Sequence, residues 1–143
     1  MKDINLNDVF FFQIERMMRA VKDYTLSEFK KHKFQVTKDQ WVILKRISEV
    51  DGNNQKEIAD STFKDPAALT RILDLLEKKG LVKRETDSSD RRTFTVHLTV
   101  EGSRLVARMT PIVQNIRSKA LKGISKNEEH QMKEVMKKIV SNF

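Results

Sequence analysis

The side chains best suited to acid–base or metal chemistry are three histidines, and their spacing supports neither. His32, His97 and His130 lie in three separate segments, so no two have the spacing that places a pair on one metal ion. The chain has no cysteine, which excludes disulfides and thiolate sites, and its four glycines form no phosphate-binding cluster. We therefore expect no catalytic residue, no metal and no cofactor, and we expect that the protein is not an enzyme.

The arginines offer a different chemistry, which is the binding of phosphates and base edges. The 143 residues include 28 basic and 20 acidic side chains, and the net charge of +8 favours a polyanionic partner. Segment 54–92 is nearly neutral, however, with nine Lys and Arg against eight Asp and Glu. Any binding of a polyanion by this segment therefore depends on where each charge is placed.

Segment 53–80 predicts two short helices joined by a tight turn. Asn54 is a candidate N-cap, and Glu57 stands where it can return a hydrogen bond in a capping box. Asp65 and Pro66 have the residue types that begin a second helix. Four apolar residues of this helix fall on one face: Leu69, Ile72, Leu73 and Leu76. The pattern is typical of a helix-turn-helix.

A two-stranded hairpin is predicted directly after the second helix. LVKRET (81–86) and TFTVHL (93–98) are strand candidates, and the polar stretch DSSDRR (87–92) is the loop between them. A hairpin in this position is a wing, so the segment is predicted to be a winged helix-turn-helix. The wing tip carries Asp90, Arg91 and Arg92, and the exposed face of the second helix offers Lys64, Ala67, Ala68, Thr70 and Arg71.

The stretch 69–102 resembles the core of the multiple-antibiotic-resistance regulator (MarR) family. The similarity lies in LEKKGLVKR (76–84), in the Asp-x-Arg pattern of Asp90 and Arg92, and in LT-x-x-G (98–102). The resemblance implies a homodimer that binds double-stranded DNA in a sequence-specific manner as a transcriptional regulator. It also implies that Arg92 enters the minor groove and that Asp90 orients it through an ion pair.

The residues proposed to contact DNA each have a simpler interpretation. Arg71 is a candidate for a base or phosphate contact, or it forms an ion pair with Asp74. Lys64 is a candidate phosphate clamp, and Thr70 either reaches DNA or is only exposed to solvent. Ala67 and Ala68 contact thymine methyl groups or merely permit close approach. Arg92 binds the minor groove or forms a salt bridge at the wing tip.

Both ends of the chain are predicted to form dimerisation helices, at 6–32 and 99–143. Residues 9–12 are consecutive apolar residues, which point all around a helix and favour burial by a second chain. The simpler alternatives are that each end packs on the chain's own core or long helix. The predicted dimer interface consists of Val9, Phe10, Phe11, Phe12, Met132, Met136, Ile139 and Phe143.

The expected fold class is mainly α with a small β-hairpin. A winged helix-turn-helix at 37–98 lies between the two dimerisation segments of a single protomer, residues 1–143. The resemblance further implies a small aromatic ligand, with Tyr24, Trp41 and Met109 as candidate wall residues, although Trp41 also suits a core position. No apolar stretch approaches 18 residues and no apolar leader is present, so we expect a cytoplasmic protein with no membrane partner.

Two alternatives remain open at this point. The wing and helix could dock a protein instead of DNA, or the chain could bind DNA without sequence preference. Salt dependence separates the first from DNA binding, because each phosphate contact steepens the loss of affinity with rising salt. Competition with random duplex separates the second.

Overall fold

The computed structural model describes residues 4–143, which form six α-helices and one β-hairpin. A 3₁₀ turn (Leu6–Asp8) precedes the first helix. The elements are α1 (Phe10–Lys31), α2 (Lys38–Glu49), α3 (Gln55–Thr62), α4 (Pro66–Lys78), β1 (Val82–Thr86), β2 (Phe94–Leu98), α5 (Val100–Ala120) and α6 (Lys126–Ser141). The predicted fold class, mainly α with a small hairpin in winged helix-turn-helix order, is confirmed.

Local capping fixes where the helices of the central lobe (residues 37–98) begin. Thr37 Oγ1 accepts from Gln40 N at 3.1 Å, and Gln40 Oε1 accepts from Thr37 N at 3.1 Å, so a complete capping box begins α2. Asn54 Oδ1 caps α3 by accepting from Glu57 N at 2.8 Å. The return bond predicted for Glu57 is wrong, because its carboxylate accepts from the Asn54 side-chain amide instead of the backbone N–H.

The core lies where α2, α3, α4, the hairpin and α5 meet. The apolar faces of these elements interlock there, and ten side chains are essentially inaccessible to solvent: Ile43, Leu44, Ile47, Ile58, Leu69, Leu73, Leu76, Val82, Val96 and Met109. Burying this apolar surface is the main favourable contribution to the stability of the lobe. Leu69, Leu73 and Leu76 were predicted to share one face of α4, and the structure buries all three.

The wing is attached to the loop between α2 and α3. The strands pair antiparallel from Val82 opposite Leu98 to Thr86 opposite Phe94. Val96 N donates to the carbonyl of Asn53 at 2.9 Å, and its own carbonyl accepts from Gly52 N at 3.3 Å. His97 Nδ1 lies 2.9 Å from Asp51 Oδ1. These contacts hold β2 against the loop between α2 and α3.

A close backbone contact attaches α5 to the lobe. Thr99 caps α5 by accepting from Gly102 N at 3.0 Å, and the Thr99 hydroxyl donates to the carbonyl of Gly80 at 2.6 Å. A Cβ atom on Gly102 would lie 2.0 Å from the carbonyl oxygen of Leu81. Only glycine fits at this crossing.

The N-terminal helix differs from the prediction of one helix over 6–32. Asn5 Oδ1 accepts from Asn7 N at 3.0 Å and begins the 3₁₀ turn, which ends at Val9. Val9 has extended backbone angles, φ −73° and ψ 123°, so α1 begins only at Phe10. The local side-chain acceptor and the β-branched valine together favour this break.

The first and last helices, α1 and α6, contribute little to the core. Helix α6 contains no buried residue, and α1 contains two, Thr25 and Phe29, near its C-terminal end.

Within residues 4–143, no helix combines the length and apolar character needed to cross a membrane.

Candidate nucleic-acid interface

Helix α4 presents a polar, exposed side opposite its buried leucines. Asp65 Oδ2 accepts from Ala68 N at 3.1 Å, and Pro66 supplies the preset φ of the first helical residue. Ala67, Thr70 and Arg71 are exposed. The small side chain at Ala67 would let another backbone approach the start of the helix closely.

The Arg71 guanidinium has no ion pair or hydrogen bond within the described part of the chain. Its simpler interpretation was a pair with Asp74, but Asp74 Oδ1 lies 2.6 Å from Arg84 Nη2. Asp74 therefore neutralises Arg84 of β1, and the Arg71 guanidinium is exposed to solvent. Its charge is available to a partner.

Two other predicted contacts on this surface are already engaged. Lys64 Nζ lies 2.9 Å from Asp39 Oδ1, and three quarters of the lysine side chain is covered. The structure thus attaches Lys64 to the start of α2, and a phosphate would have to compete with Asp39 for it. Thr70 Oγ1 donates to the Pro66 carbonyl at 3.0 Å, so its hydroxyl is not simply solvated.

The wing tip is an ordered turn held by two aspartates. Asp87 Oδ1 accepts from Ser89 N at 2.9 Å and from Ser89 Oγ at 2.8 Å. These bonds, led by the one from the Ser89 backbone, lower the pKa of the Asp87 carboxyl below its ordinary value. Thr93 N donates to the Asp90 carbonyl at 3.1 Å and closes the turn. The arginines at the tip are thus carried on a defined backbone.

The ion pair implied between Asp90 and Arg92 is not formed. Asp90 Oδ1 instead accepts from the backbone N–H of Arg92 at 3.0 Å, which is a local Asx-turn bond. Within residues 4–143 the Arg92 guanidinium makes no salt bridge. The simpler interpretation of Arg92, a salt bridge at the wing tip, is therefore not seen either. Asp90 shapes the backbone at the tip and does not neutralise Arg92.

Arg84 is the residue that sequence reasoning missed. From β1 it reaches Asp74 at 2.6 Å and Glu77 at 3.0 Å, two acids on the same side of α4. The hydrogen bond to Glu77 contributes most to raising the pKa of the Arg84 guanidinium above its usual value. A signal existed: acids three apart on a polar helix face, followed by a basic residue in the next strand.

The charges of the central lobe nearly cancel in number, but some arginines are paired and others are not. Of the five arginines in residues 37–98, Arg46 and Arg84 are held in ion pairs. Arg71, Arg91 and Arg92 are exposed and form none within the described residues. Five of the acids are engaged within the lobe: Asp65 caps α4, Asp87 and Asp90 accept bonds in the wing turn, and Asp74 and Glu77 pair with Arg84. The surface formed by α4 and the wing tip therefore has unneutralised positive charge.

The predicted ligand-wall residues do not surround a common cavity. Trp41 and Met109 are buried in the core, and Tyr24 is half-buried with Lys119 Nζ 4.8 Å from its ring centroid. An open groove of about 990 Å³ lies elsewhere, between Lys33, Lys79 and Arg104. The ligand assignment stays a prediction.

The predicted dimer residues lie largely on the surface of the single chain. Phe10, Phe11, Met132, Met136 and Phe143 are exposed large apolar side chains. The remaining three are half-buried: Val9, Phe12 and Ile139. Within residues 4–143, the five exposed members of this set are left without cover.

A comparison with protein families decides which family this lobe represents. Residues 36–94 match the family model described as the MarR family. The chain carries a MarR-family domain. The resemblance predicted from the sequence is therefore confirmed, and the matched region covers α2, α3, α4 and the wing up to the start of β2.

Solved structures extend the likeness of the MarR domain to the rest of the fold. The MepR–DNA complex of S. aureus is 25% identical over 94% of this chain and 98% of that chain, with a TM-score of 0.84. The CouR repressor bound to a 23-mer DNA duplex is 22% identical over 97% and 99%, with a TM-score of 0.85. PcaV of Streptomyces coelicolor, in complex with its natural ligand, is 17% identical over 99% and 98%, also at 0.85. PcaV is described as a transcriptional regulator and CouR as a transcriptional repressor, and MepR and CouR are both bound to DNA in these structures.

Proposed function

We propose that this protein is a transcriptional regulator that binds double-stranded DNA in a sequence-specific manner as a homodimer. The observation that carries the proposal is the set of three exposed, unpaired arginines on α4 and the wing tip, Arg71, Arg91 and Arg92. The two other arginines of the central lobe are neutralised. Phosphate oxygens and guanine edges are the acceptors that such arginines bind.

The recognition helix is α4, and its N-terminal turns face the bases of the major groove. Arg71 contacts a base or a phosphate, and Thr70 reaches DNA if its hydroxyl leaves the Pro66 carbonyl. Ala67 and Ala68 contact thymine methyl groups. Lys64 binds a phosphate at the expense of its pair with Asp39. Arg92, with Arg91 beside it, enters the minor groove on a turn that Asp90 holds.

The homodimer is built from the two ends of the protomer, residues 6–32 and 99–143. Its support is the apolar surface left uncovered on α1 and α6 in the single chain. Helix α6 buries no residue on the chain's own α5, which is the simpler alternative for this helix. A two-fold dimer predicts a pseudo-palindromic operator with half-sites about one helical turn apart.

Repression with release by a small aromatic ligand completes the proposal. CouR is a repressor, PcaV is known with a natural ligand, and 6-hydroxynicotinic acid regulates DNA binding by BpsR of Bordetella bronchiseptica. A ligand that prefers the DNA-incompetent arrangement shifts the population toward it. Of the three candidate wall residues only Tyr24 is accessible in the single chain, so Trp41 and Met109 contribute only if the site opens.

The test is selection of bound duplexes from a random-sequence pool, run in parallel with the wild type and with an Arg91→Ala, Arg92→Ala double variant. Enrichment of an inverted repeat by the wild type, and its loss in the variant, is the expected result. Salt-sensitive binding without enrichment would identify a non-specific DNA-binding protein. No binding to any duplex at low salt would reject the proposal in favour of a protein-docking module.

A further inference from the structure

The turn between α3 and α4 contains an unusual residue, Phe63. Its backbone is left-handed, with φ 56° and ψ 32°, and its side chain is 96% exposed. Within residues 4–143, Lys33 is the one other non-glycine residue with positive φ. Large apolar side chains avoid both conditions, since the left-handed region crowds Cβ and water is a poor solvent for a phenyl ring. Phe63 meets both at once.

The fold does not account for a phenylalanine at this position. The turn needs a positive φ so that backbone N–H groups can bond back to the Ala59 carbonyl at the end of α3. Glycine meets that need without strain. The Phe63 ring is absent from the core cluster and from every aromatic pair found among the described residues. Neither the turn nor the core gains from the ring.

The placement of Phe63 indicates what the ring can contact. It stands three residues before Pro66, the first residue of α4, and the backbone around it is fixed. Lys64 N donates to the Ala59 carbonyl at 3.0 Å, and the Lys64 side chain is bound to Asp39. Asp65 caps α4. An exposed ring thus projects from a rigid turn directly beside the helix end that enters the major groove in the proposed function.

We propose that Phe63 is a DNA contact that packs its ring against a thymine methyl group and the adjoining deoxyribose, beside the bases read by α4. The inference rests on the proposed function and adds a specificity-determining residue to it. A phenyl ring has no donor or acceptor, so it distinguishes thymine by apolar contact with the C5-methyl group. Ala67 and Ala68 can make similar contacts but have little reach, and Phe63 extends the apolar contact beyond the helix.

The experiment compares the wild type with Phe63→Gly and Phe63→Asn on the operator obtained by selection. Both replacements tolerate positive φ, so the turn is kept while the ring is lost. The urea midpoint is expected to stay equal or to rise, while the dissociation constant rises by about tenfold. The salt dependence of binding is expected to keep its slope, because no phosphate contact is removed. In Arg92→Ala, by contrast, the slope falls.

Substitution of thymine by deoxyuridine at single operator positions then locates the contact. At one or two positions the loss of the methyl group should weaken the wild type and leave Phe63→Gly unaffected. Equal affinity of the wild type and both variants would overturn the inference while leaving the proposed function standing. Deoxyuridine effects that are identical in the wild type and the variant would also overturn it, and so would a change of oligomeric state in Phe63→Gly. Failure of the wild type to bind any duplex would reject both proposals.

Discussion

The central lobe and the terminal helix α6 satisfy their side chains in different ways. In the lobe, apolar residues from five elements share one core, and no buried side-chain nitrogen or oxygen of the described residues lacks a hydrogen-bond partner. Helix α6 has a complete capping box at Ser125 and Glu128 but buries no residue. Its charged pairs, such as Lys133 with Glu129 at 2.6 Å, lie within the helix itself.

This difference teaches that the two regions depend on different equilibria. The lobe has the packing of a unit whose stability is set within one chain. Helix α6 is stabilised locally by its cap and by ion pairs between residues three or four positions apart, and each pair contributes only tenths of a kcal/mol. Its apolar side remains without cover. Substitutions in the lobe should therefore change folding or DNA contact, whereas changes in α6 should change association.

The largest effect is expected from deleting residues 125–143. Because none of the residues of α6 is buried in the single chain, the shortened protein should keep its fold by circular dichroism and become monomeric by light scattering. Operator affinity should fall about a hundredfold or more, since two linked half-site contacts become independent. A truncated protein that still forms a dimer would show that α6 is not the interface.

A comparably large effect on folding is expected from Gly102→Ala, at the junction of α5 with the lobe. The added Cβ would lie 2.0 Å from the Leu81 carbonyl oxygen, so the helix must shift. We expect the free energy of unfolding to fall by about 3 kcal/mol in urea titration. The matched change Gly123→Ala adds a methyl group where nothing lies within 4 Å, and any cost there comes from its positive φ alone. Equal losses in the two variants would mean that the crossing is not tight.

A change confined to binding is expected from Arg92→Ala at the wing tip. The side chain is exposed and little packing is lost with it, so the unfolding midpoint should be unchanged. Operator affinity should fall about tenfold. Lys78→Ala removes the same charge at the far end of α4 and serves as the control. If both variants bind equally well, Arg92 has no specific role in the minor groove.

A smaller effect on stability is expected from Arg84→Gln. Loss of the pairs with Asp74 and Glu77 should lower the free energy of unfolding by about 1 kcal/mol and increase amide exchange in β1. Arg46→Gln breaks longer contacts, 3.7 Å to Glu49 and 3.5 Å to the Ser61 carbonyl, and should cost less. The opposite order would contradict the assignment of Arg84 as the link between wing and helix.

The smallest effect is a loosening of the wing tip in acid. The pKa of Asp87 is lowered in the folded protein, so its contribution is present above the ordinary value of 3.8 and is lost as pH falls through the folded pKa. The Ser89 amide resonance should therefore titrate with a midpoint below 3.8 in the wild type and not in Asp87→Asn. A midpoint at or above 3.8 would contradict the stabilising bonds.

The sequence predicts those features that depend on neighbours along the chain. The cap at Asp65 and the buried side of α4 are read from residues three or four positions apart, and the structure has both. The start of α1 was missed because the Asn5 side chain competes locally for backbone N–H groups. That competition has no clear pattern in the sequence.

Long-range pairing explains the remaining differences. Lys64 meets Asp39, Arg84 meets Asp74, and His97 meets Asp51 only once the helices and the hairpin have packed. These pairs decide which charges stay free. Apart from the two acids three residues apart on α4 that meet Arg84, spacing along the chain does not indicate them. The turn at Phe63 was read only as a break between helices, because neither its left-handed backbone nor its exposure can be read from the residue type.

The side-chain bonds that connect the wing to the rest of the lobe limit how the wing and α4 can move. Arg84 ties β1 to α4, His97 ties β2 to the loop after α2, and Thr99 ties the start of α5 to Gly80. Helix α4 and the wing therefore move as one rigid unit, and the contacts that this unit makes with a half-site are fixed. In the proposed dimer, a signal can therefore change only the distance and angle between the two units formed by α4 and the wing. It changes the operator spacer length that the protein tolerates and leaves the half-site sequence unchanged.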